Sequence, residues 1–118
     1  MSLLSGHNYI AGQRSANGSL QLRSMDATTG EPLPGVFFQA TEAEVDAGAE
    51  AAAAAYPIFR ALSAQQRAVF LDAIADELDA LGDDFVAVVC RETALPAARI
   101  QGERARTSGQ MRLFAKVL

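Results

Sequence analysis

The sequence predicts a mainly α-helical fold opened by an N-terminal β-hairpin. Signals for helix starts recur after residue 40, and each is followed by apolar residues at helical spacing. Before that point, short extended runs alternate with turn-forming pairs that contain glycine or proline. The chain has 118 residues, of which 50% are apolar, so it can form at most one domain with a modest core.

Residues 1–40 are predicted to form the hairpin and a loop. Residues 8–14 and 20–23 would be the two strands, because they flank Asn17-Gly18, a pair that favours the tight turns of hairpins. An isolated two-stranded hairpin is only marginally stable in water. We therefore expect these strands to lie against helices.

Two further features precede the first helix. Residues 26–34 contain Thr-Thr-Gly-Glu-Pro, which predicts a loop with one or two turns. Residues 36–38 are an apolar run, Val-Phe-Phe, and predict a third short strand or an edge strand.

Helices are predicted to occupy residues 41–118, and the first begins with a capping box. The hydroxyl of Thr41 can accept a hydrogen bond from the N–H of Glu44, whose carboxylate can accept one from the N–H of Thr41. Pro57 removes one backbone hydrogen bond and clashes with the preceding turn. This helix should therefore kink or stop near Tyr56.

The second predicted helix begins with another capping box, formed by Ser63 and Gln66. Gly82 is its expected end, since glycine readily adopts the left-handed conformation that terminates helices. Its apolar stripe consists of Phe70, Leu71, Ile74, Leu78 and Leu81.

A third, shorter helix is expected to begin with Asp83 or Asp84 as its cap and to end near Thr93. Cys90 lies on this helix behind two valines. A thiol in such a position is more often a small buried apolar group than a nucleophile.

The last helix is the longest and starts at about Leu95 or Pro96, because proline is favoured in the first helical turn. At about 100° per residue it presents two opposite faces. The small face consists of Ala98, Gly102, Ala105 and Gly109, and the bulky face consists of Ile100, Thr107, Met111, Phe114 and Leu118. Glycine inside a helix costs about 1 kcal/mol relative to alanine. We therefore expect close packing on the small face and a core on the bulky face.

The charge balance limits the possible partners. With 14 acidic and 10 basic residues the net charge is −4, which argues against a dedicated nucleic-acid binder. The last helix is nevertheless basic and the preceding chain is acidic. The single cysteine excludes an internal disulfide. No apolar run approaches about 18 residues and no leader opens the chain, so we expect no membrane span and a cytoplasmic location.

Three sets of residues are candidates for chemistry. His7 is the only histidine, so a catalytic triad would depend on a residue close to the terminus. An acidic series on the second helix consists of Asp72, Asp76, Asp79 and Asp83. Straight helical spacing cannot wrap a calcium ion, so a solvated face or one that meets the arginines of the last helix is the better interpretation. Those arginines, Arg99, Arg104, Arg106 and Arg112, spread around their helix instead of lining a phosphate groove.

A nucleotide-binding loop is absent from the sequence. There is no G-x-G-x-x-G and no P-loop, and the nine glycines never fall two apart. The chain therefore cannot hold a pyrophosphate with its own residues.

The last helix and the residues before it resemble a known family. The stretch ETALPAARIQGERARTSGQMRLFA is similar to the E-T-G-x-P, G-E and R-T-x-G-Q segment of aldehyde dehydrogenases, nearest to the branch that acts on α-ketoglutaric semialdehyde. The resemblance continues upstream through NYIAGQ, TTGEPL, ATEAEVDAGAEAAAAAY and RAVFLDAIADELDAL, and so covers nearly the whole chain. Ala94 stands where that branch usually has glycine.

The resemblance implies that residues 1–118 are the N-terminal part of the α/β, Rossmann-like coenzyme domain of an enzyme that uses NAD or NADP. The catalytic cysteine and glutamate, the oxyanion-hole asparagine and the cofactor loops of the family lie downstream. The resemblance therefore implies no catalytic, cofactor-binding or metal residue in this chain, with the remainder of a homo-oligomeric dehydrogenase as its partner. Glu92 aligns with an acidic position of a monovalent-cation site that some members build with backbone oxygens near Met25. The alternative for Glu92 is a surface ion pair with Arg91 or Arg99.

A second interpretation does not require a longer enzyme. The small face of the last helix could mediate dimerisation or dock a partner helix, which would make the chain a stand-alone helical interaction module.

Overall fold

A computed structural model describes residues 4–118 and is mainly helical. The chain divides into two compact units. The first, residues 4–25 and 30–61, holds all four strands and helix α1; the second, residues 26–29 and 62–118, holds helices α2, α3 and α4. The strands are β1 (Asn8–Ile10), β2 (Gln13–Ser15), β3 (Gln21–Leu22) and β4 (Phe37–Phe38). The helices are α1 (Glu42–Arg60), α2 (Ala64–Ala80), α3 (Gly82–Thr93) and α4 (Ala97–Val117).

The N-terminal hairpin is present, but its turn lies elsewhere than predicted. Strands β1 and β2 pair antiparallel with Ile10 opposite Gln13, so the turn is the two-residue loop Ala11-Gly12. Both residues have positive φ, 51° and 77°, as the tightest hairpin turns require. The run 8–14, predicted as one strand, therefore folds back on itself.

The Asn17-Gly18 pair forms no hairpin turn. Gly18 instead lies against the backbone of Gln39, so closely that a Cβ on Gly18 would be 2.0 Å from the Gln39 carbonyl oxygen. The third predicted strand is confirmed as β4, which pairs antiparallel with β3. The side-chain amide of Asn8 donates to the Phe38 carbonyl, at 3.1 Å, and joins the two strand pairs.

Helix α1 begins with the predicted capping box, in which both hydrogen bonds between Thr41 and Glu44 are formed. Of the predicted kink or stop near Tyr56, the stop is wrong, because the helix continues through Pro57 to Arg60. Pro57 lies in the last turn, where it deprives only the Ala53 carbonyl of its helical partner.

Helix α2 also begins with its predicted capping box, formed by Ser63 and Gln66. Gly82 follows the end of this helix with a φ of 67°, in the left-handed region. The predicted cap of α3 is wrong, since Leu81 occupies the cap position without a side-chain hydrogen bond. Asp83 and Asp84 lie instead in the first turn of α3. There a carboxylate still interacts favourably with the helix dipole.

Helix α3 ends at Thr93, as predicted, and Ala94 then adopts a left-handed conformation with φ 59° and ψ 16°. Its N–H donates to the Cys90 carbonyl at 2.8 Å, which closes the helix. A Cβ in this conformation is unfavourable, whereas glycine tolerates it.

We therefore expect Ala94→Gly to raise the free energy of unfolding by about 1 kcal/mol. Urea denaturation followed by circular dichroism measures this change. Ala87→Gly, at an exposed position inside the same helix, is the matched control and should lower stability by about 1 kcal/mol. A destabilising Ala94→Gly would contradict the role assigned to the left-handed cap.

Helix α4 begins one residue after Pro96, which is its N-cap with an extended backbone. Its buried residues are Ile100, which belongs to the predicted bulky face, and Ser108 and Ala115, which lie between the two predicted faces. Helix α2 packs along α4. The half-buried residues on this side include Arg104, Met111 and Arg112.

The two predicted packing faces of α4 are therefore corrected. On the bulky face Ile100 is buried, but Thr107 is exposed and Phe114 and Leu118 are 53% and 49% exposed. All four residues of the small face are exposed, and no atom lies within 4 Å of a Cβ built on Gly102 or Gly109. Arginines on the side towards α2 explain the difference from the prediction. Their aliphatic stems can cover the contact between α2 and α4 while their charged ends reach polar partners.

Candidate functional site

Glu44 is a buried carboxylate of the strand unit and is only 4% exposed. Its carboxylate accepts hydrogen bonds from the Ser15 hydroxyl, from the Asn17 N–H at 3.1 Å and from the Thr41 N–H at 2.8 Å. The Ser15 hydroxyl and these two backbone N–H groups lower the pKa of Glu44 from its ordinary value of 4.5 to about 2. Glu44 therefore stays ionised near neutral pH, and it fastens the end of β2 to the start of α1.

The sequence predicted the hydrogen bond between Glu44 and Thr41 but not those from Ser15 and Asn17 to Glu44. The capping box predicted the bond between Glu44 and Thr41, because both residues lie within one helical turn. The bonds to Ser15 and Asn17 span more than 25 residues of chain. They form only once the hairpin turns at Ala11-Gly12, and the sequence pattern placed that turn elsewhere.

The lowered pKa of Glu44 predicts a dependence of stability on pH. A group whose pKa is depressed by folding stabilises the folded state above its unfolded pKa, and the contribution disappears as pH falls through the folded pKa. Glu44→Gln should therefore lower the free energy of unfolding by its largest amount above pH 4.5, and this loss should disappear as the pH falls towards 2.

Thermal unfolding at pH 7, 4 and 2.5, followed by circular dichroism, tests this expectation. Glu42→Gln is the matched control, because Glu42 is exposed in the same helical turn. An equal pH dependence of the two differences would contradict the cluster at Glu44.

In the helical unit, Arg112 on α4 forms ion pairs with two carboxylates of α2. Its guanidinium donates to Asp76 at 2.8 Å and to Asp79 at 2.9 Å on α2. The Ser108 hydroxyl, followed by Arg112, lowers the pKa of Asp79, and the hydrogen bonds that Arg112 donates to Asp76 and Asp79 raise the pKa of Arg112. The prediction that the acidic series meets arginines of the last helix is confirmed for these two carboxylates.

Arg104 makes a second link from α4. Its Nη1 donates to the Gly82 carbonyl at 2.9 Å, at the junction of α2 and α3. Arg104 and Arg112 therefore serve to align α4 with its neighbours, whereas Arg106 is exposed on another side. These arginines do not form a common phosphate site.

The ion pairs predicted for Glu92 are wrong. Arg91 lies 3.7 Å from the carboxylate of Asp26, and Arg99 lies 2.9 Å from that of Glu103. The N–H groups of Thr28 and Thr29, and then Arg91, lower the pKa of Asp26. Glu92 is exposed on α3, and its part in a cation site stays a prediction.

The other candidates are not assembled into a catalytic cluster. Cys90 is half-buried on α3. The ring of His7 packs edge-on against Phe38, with ring centres 5.7 Å apart. Among residues 4–118, no three His, Cys, Asp or Glu side chains are grouped to hold a metal ion.

What the helical unit does present is apolar surface. A shallow groove of about 420 Å³ runs along α2, lined by Phe70, Ala73, Ile74, Glu77, Leu78 and Leu81. On α4, Leu113 and Val117 are 54% and 73% exposed. Exposed apolar surface on this scale is typical of a segment that contacts further protein. Within the part of the chain described, no helix is both long enough and apolar enough to cross a bilayer.

Comparison with known proteins agrees with this picture. The family model described as "Aldehyde dehydrogenase family" matches residues 14–118. The chain is 45% identical over 116 residues to alpha-ketoglutaric semialdehyde dehydrogenase 2 of Azospirillum brasilense, covering 98% of this chain and 22% of that protein. It is 43% identical over 118 residues to alpha-ketoglutaric semialdehyde dehydrogenase of Acinetobacter baylyi, again covering 22% of the relative.

A solved structure is also similar. Succinate-semialdehyde dehydrogenase from Burkholderia pseudomallei superposes with a TM-score of 0.85 at 30% sequence identity, over 97% of this chain and 23% of that one. The chain belongs to the aldehyde dehydrogenase family, and it spans about a fifth of the length of the relatives it matches.

Proposed function

We propose that this chain is the N-terminal scaffold segment of an NAD(P)-dependent aldehyde dehydrogenase that oxidises α-ketoglutaric semialdehyde to its acid. The whole enzyme would convert the aldehyde, NAD(P)⁺ and water into the carboxylic acid, NAD(P)H and a proton. The observation that carries the proposal is the 45% and 43% identity to two dehydrogenases named for this semialdehyde, extending over 98% and 100% of the chain.

The chain itself supplies structure in this proposal and no catalytic residue. We infer that it forms part of the outer helical layer of an α/β, Rossmann-like coenzyme domain, with the remainder of the dehydrogenase as its partner and a homo-oligomer in the cytoplasm as the working enzyme. The exposed faces of α2 and α4 support this role, because they offer apolar surface to further protein.

The residues present do not fit NAD or NADP. A dinucleotide site needs a strand that leads through a glycine-rich turn into a helix, so that backbone N–H groups meet the pyrophosphate. Among the described residues, β4 is followed by α1, but the connection from Phe38 to Glu42 contains no glycine. We therefore place the cofactor contacts in the remainder of the enzyme and derive no step for the cofactor from this chain.

The proposal is tested with the full-length enzyme encoded by the gene. The enzyme, at a concentration on the order of micromolar, should form NAD(P)H only when α-ketoglutaric semialdehyde is present, as followed by absorbance at 340 nm. Residues 1–118 alone should form no NAD(P)H. Succinic semialdehyde is the comparison substrate and should be oxidised less efficiently, judged by kcat/KM. A stop codon directly after Leu118, together with a stable dimer of the short chain, would instead favour the helical interaction module.

A further inference from the structure

The loop that follows β2 carries the pair Asn17-Gly18, which forms no hairpin turn in this fold. Asn17 is exposed and lies outside every helix and strand. Among the hydrogen bonds of residues 4–118, Asn17 takes part through its backbone N–H, and none involves its side-chain amide or the N–H of Gly18. The two groups that can react with each other are therefore not engaged elsewhere in this part of the chain.

Asparagine is chemically labile when glycine follows it, because glycine has no Cβ to hinder the approach of its backbone nitrogen to the asparagine side chain. The Gly18 nitrogen loses its proton and attacks Cγ of Asn17. A new C–N bond forms, and the side-chain nitrogen leaves as ammonia. Water then opens the cyclic succinimide at either of its carbonyl carbons. The product is aspartate or isoaspartate, with one water consumed and one ammonia released.

The fold holds the backbone on both sides of the reacting peptide bond. The Asn17 N–H donates to the buried carboxylate of Glu44 at 3.1 Å. Gly18 lies against the Gln39 backbone, where a built Cβ would be 2.0 Å from the carbonyl oxygen. Ring closure needs rotation about the bonds between these two contacts. The reaction therefore requires the strand unit to open locally.

The other asparagine of the sequence, Asn8, differs in both respects. Its side-chain amide donates to the Phe38 carbonyl at 3.1 Å, so it is engaged in the folded state. Tyr9 follows it, and the Cβ of Tyr9 hinders the attack that glycine allows. Asn8 is thus an internal reference within the same unit.

The isoaspartate product does not fit the folded loop. In isoaspartate the main chain runs through the former side chain, so it is longer by one carbon. This extra carbon enters the chain beside Gly18, where the Gln39 carbonyl leaves no room even for a Cβ. The longer chain cannot keep both the bond to Glu44 and the contact with Gln39.

We propose that Asn17-Gly18 is a deamidation site that the folded strand unit protects, and that isoaspartate formed there prevents the unit from closing again. Glu44 controls the exposure of this site, because its carboxylate fastens the Asn17 backbone. Deamidation then converts a reversible local opening into permanent loss of the strand unit.

Deamidation rates in the full-length protein test the protection. Mass spectrometry of the tryptic peptide 15–23 should show that Asn17 deamidates about tenfold more slowly in the native protein than in urea at the same pH. Asn8, in the preceding peptide, should stay unmodified in both. Equal rates for Asn17 in the native protein and in urea, or no deamidation in urea, would overturn the proposal.

Variants of the full-length protein test the role of Glu44. Glu44→Gln should raise the native deamidation rate about tenfold, because hydrogen bonds to a charged acceptor are lost. Glu42→Gln is the matched control and should leave the rate unchanged. Ser15→Ala removes a different donor to Glu44 and should raise the rate less, which provides a second variant if Glu44→Gln does not fold. Equal rates for all three variants would contradict the control by Glu44.

Trypsin cleavage after Arg14 reports whether the strand unit has closed, because Arg14 lies in β2. After removal of urea, the isoaspartate form, isolated by ion exchange, should be cut there about tenfold faster than unmodified protein taken through the same steps. Asn17→Asp carries the new charge without the longer main chain and should be cut within about twofold of the unmodified rate. Equal resistance of the isoaspartate form would refute the permanent loss. Each readout is a mass or a cleavage rate, so the outcome is independent of the enzymatic activity proposed above.

Discussion

Gly18→Ala is expected to lower the free energy of unfolding of the strand unit by about 3 kcal/mol, at the upper end of the range for overpacking. The reason is steric: the new methyl carbon would lie 2.0 Å from the Gln39 carbonyl oxygen and 3.2 Å from its carbon. The obstacle is backbone, which cannot rotate away as a flexible side chain would. The segment that follows β2 must move away from the residues that lead into α1, and the Asn17 bond to Glu44 lies beside it.

Gly48→Ala is the matched control in the same unit. Gly48 lies inside α1, where a new Cβ would be 3.9 Å from the nearest atom, a methyl carbon of Ile10. Because alanine is the better helix former, this variant should raise stability by up to about 1 kcal/mol. Urea denaturation of both variants measures the contrast. Equal effects of the two substitutions would show that Gly18 does not lie against the backbone as described.

Gly18 also shows why part of the strand unit could not be predicted. Asn-Gly indicates a turn because both residues tolerate positive φ, and that statistical preference is local. The glycine is needed here for a different reason, the approach of another backbone segment more than 20 residues away. The turn is made instead by Ala11-Gly12, where one alanine adopts a positive φ of 51° that the sequence alone does not suggest.

The two capping boxes were predicted correctly. Both capping boxes formed as predicted, because the residues of a box lie within one turn and need no tertiary partner. The predicted stop at Pro57 did not occur. A proline removes one backbone hydrogen bond wherever it lies inside a helix, but here only residues 58–60 follow it, so little of the helix depends on continuing past it.

The faces of α4 could not be assigned for a different reason. Periodicity shows which residues share a face, but the neighbour decides which face is buried. Here α2 offers Asp76 and Asp79, and the arginine that meets them sets the rotation of α4. Polar contacts of this kind are invisible to a pattern that counts only apolar residues. The small face and the exposed residues of the bulky face, such as Phe114, then remain uncovered within the helical unit.

The contact between α2 and α4 leads to the second large expected effect. Ala75→Leu should lower the free energy of unfolding of the helical unit by about 2 kcal/mol. Ala75 is fully buried on α2, and the buried residues of α4 include Ser108 and Ala115, which are also small. Small residues on both helices allow their axes to approach closely. A leucine adds three carbons for which this contact has no room, and it should also move Arg112 away from Asp76 and Asp79.

Ala80→Leu isolates the steric effect, because Ala80 is exposed at the end of the same helix. This control should change stability by no more than about 0.5 kcal/mol. Both variants can be compared by urea denaturation at low and at high salt. If overpacking is the cause, the loss in Ala75→Leu persists when salt screens the ion pairs of Arg112, because steric exclusion is independent of ionic strength. A loss that vanished at high salt would mean that the charges, and not the small residues, hold α2 and α4 together.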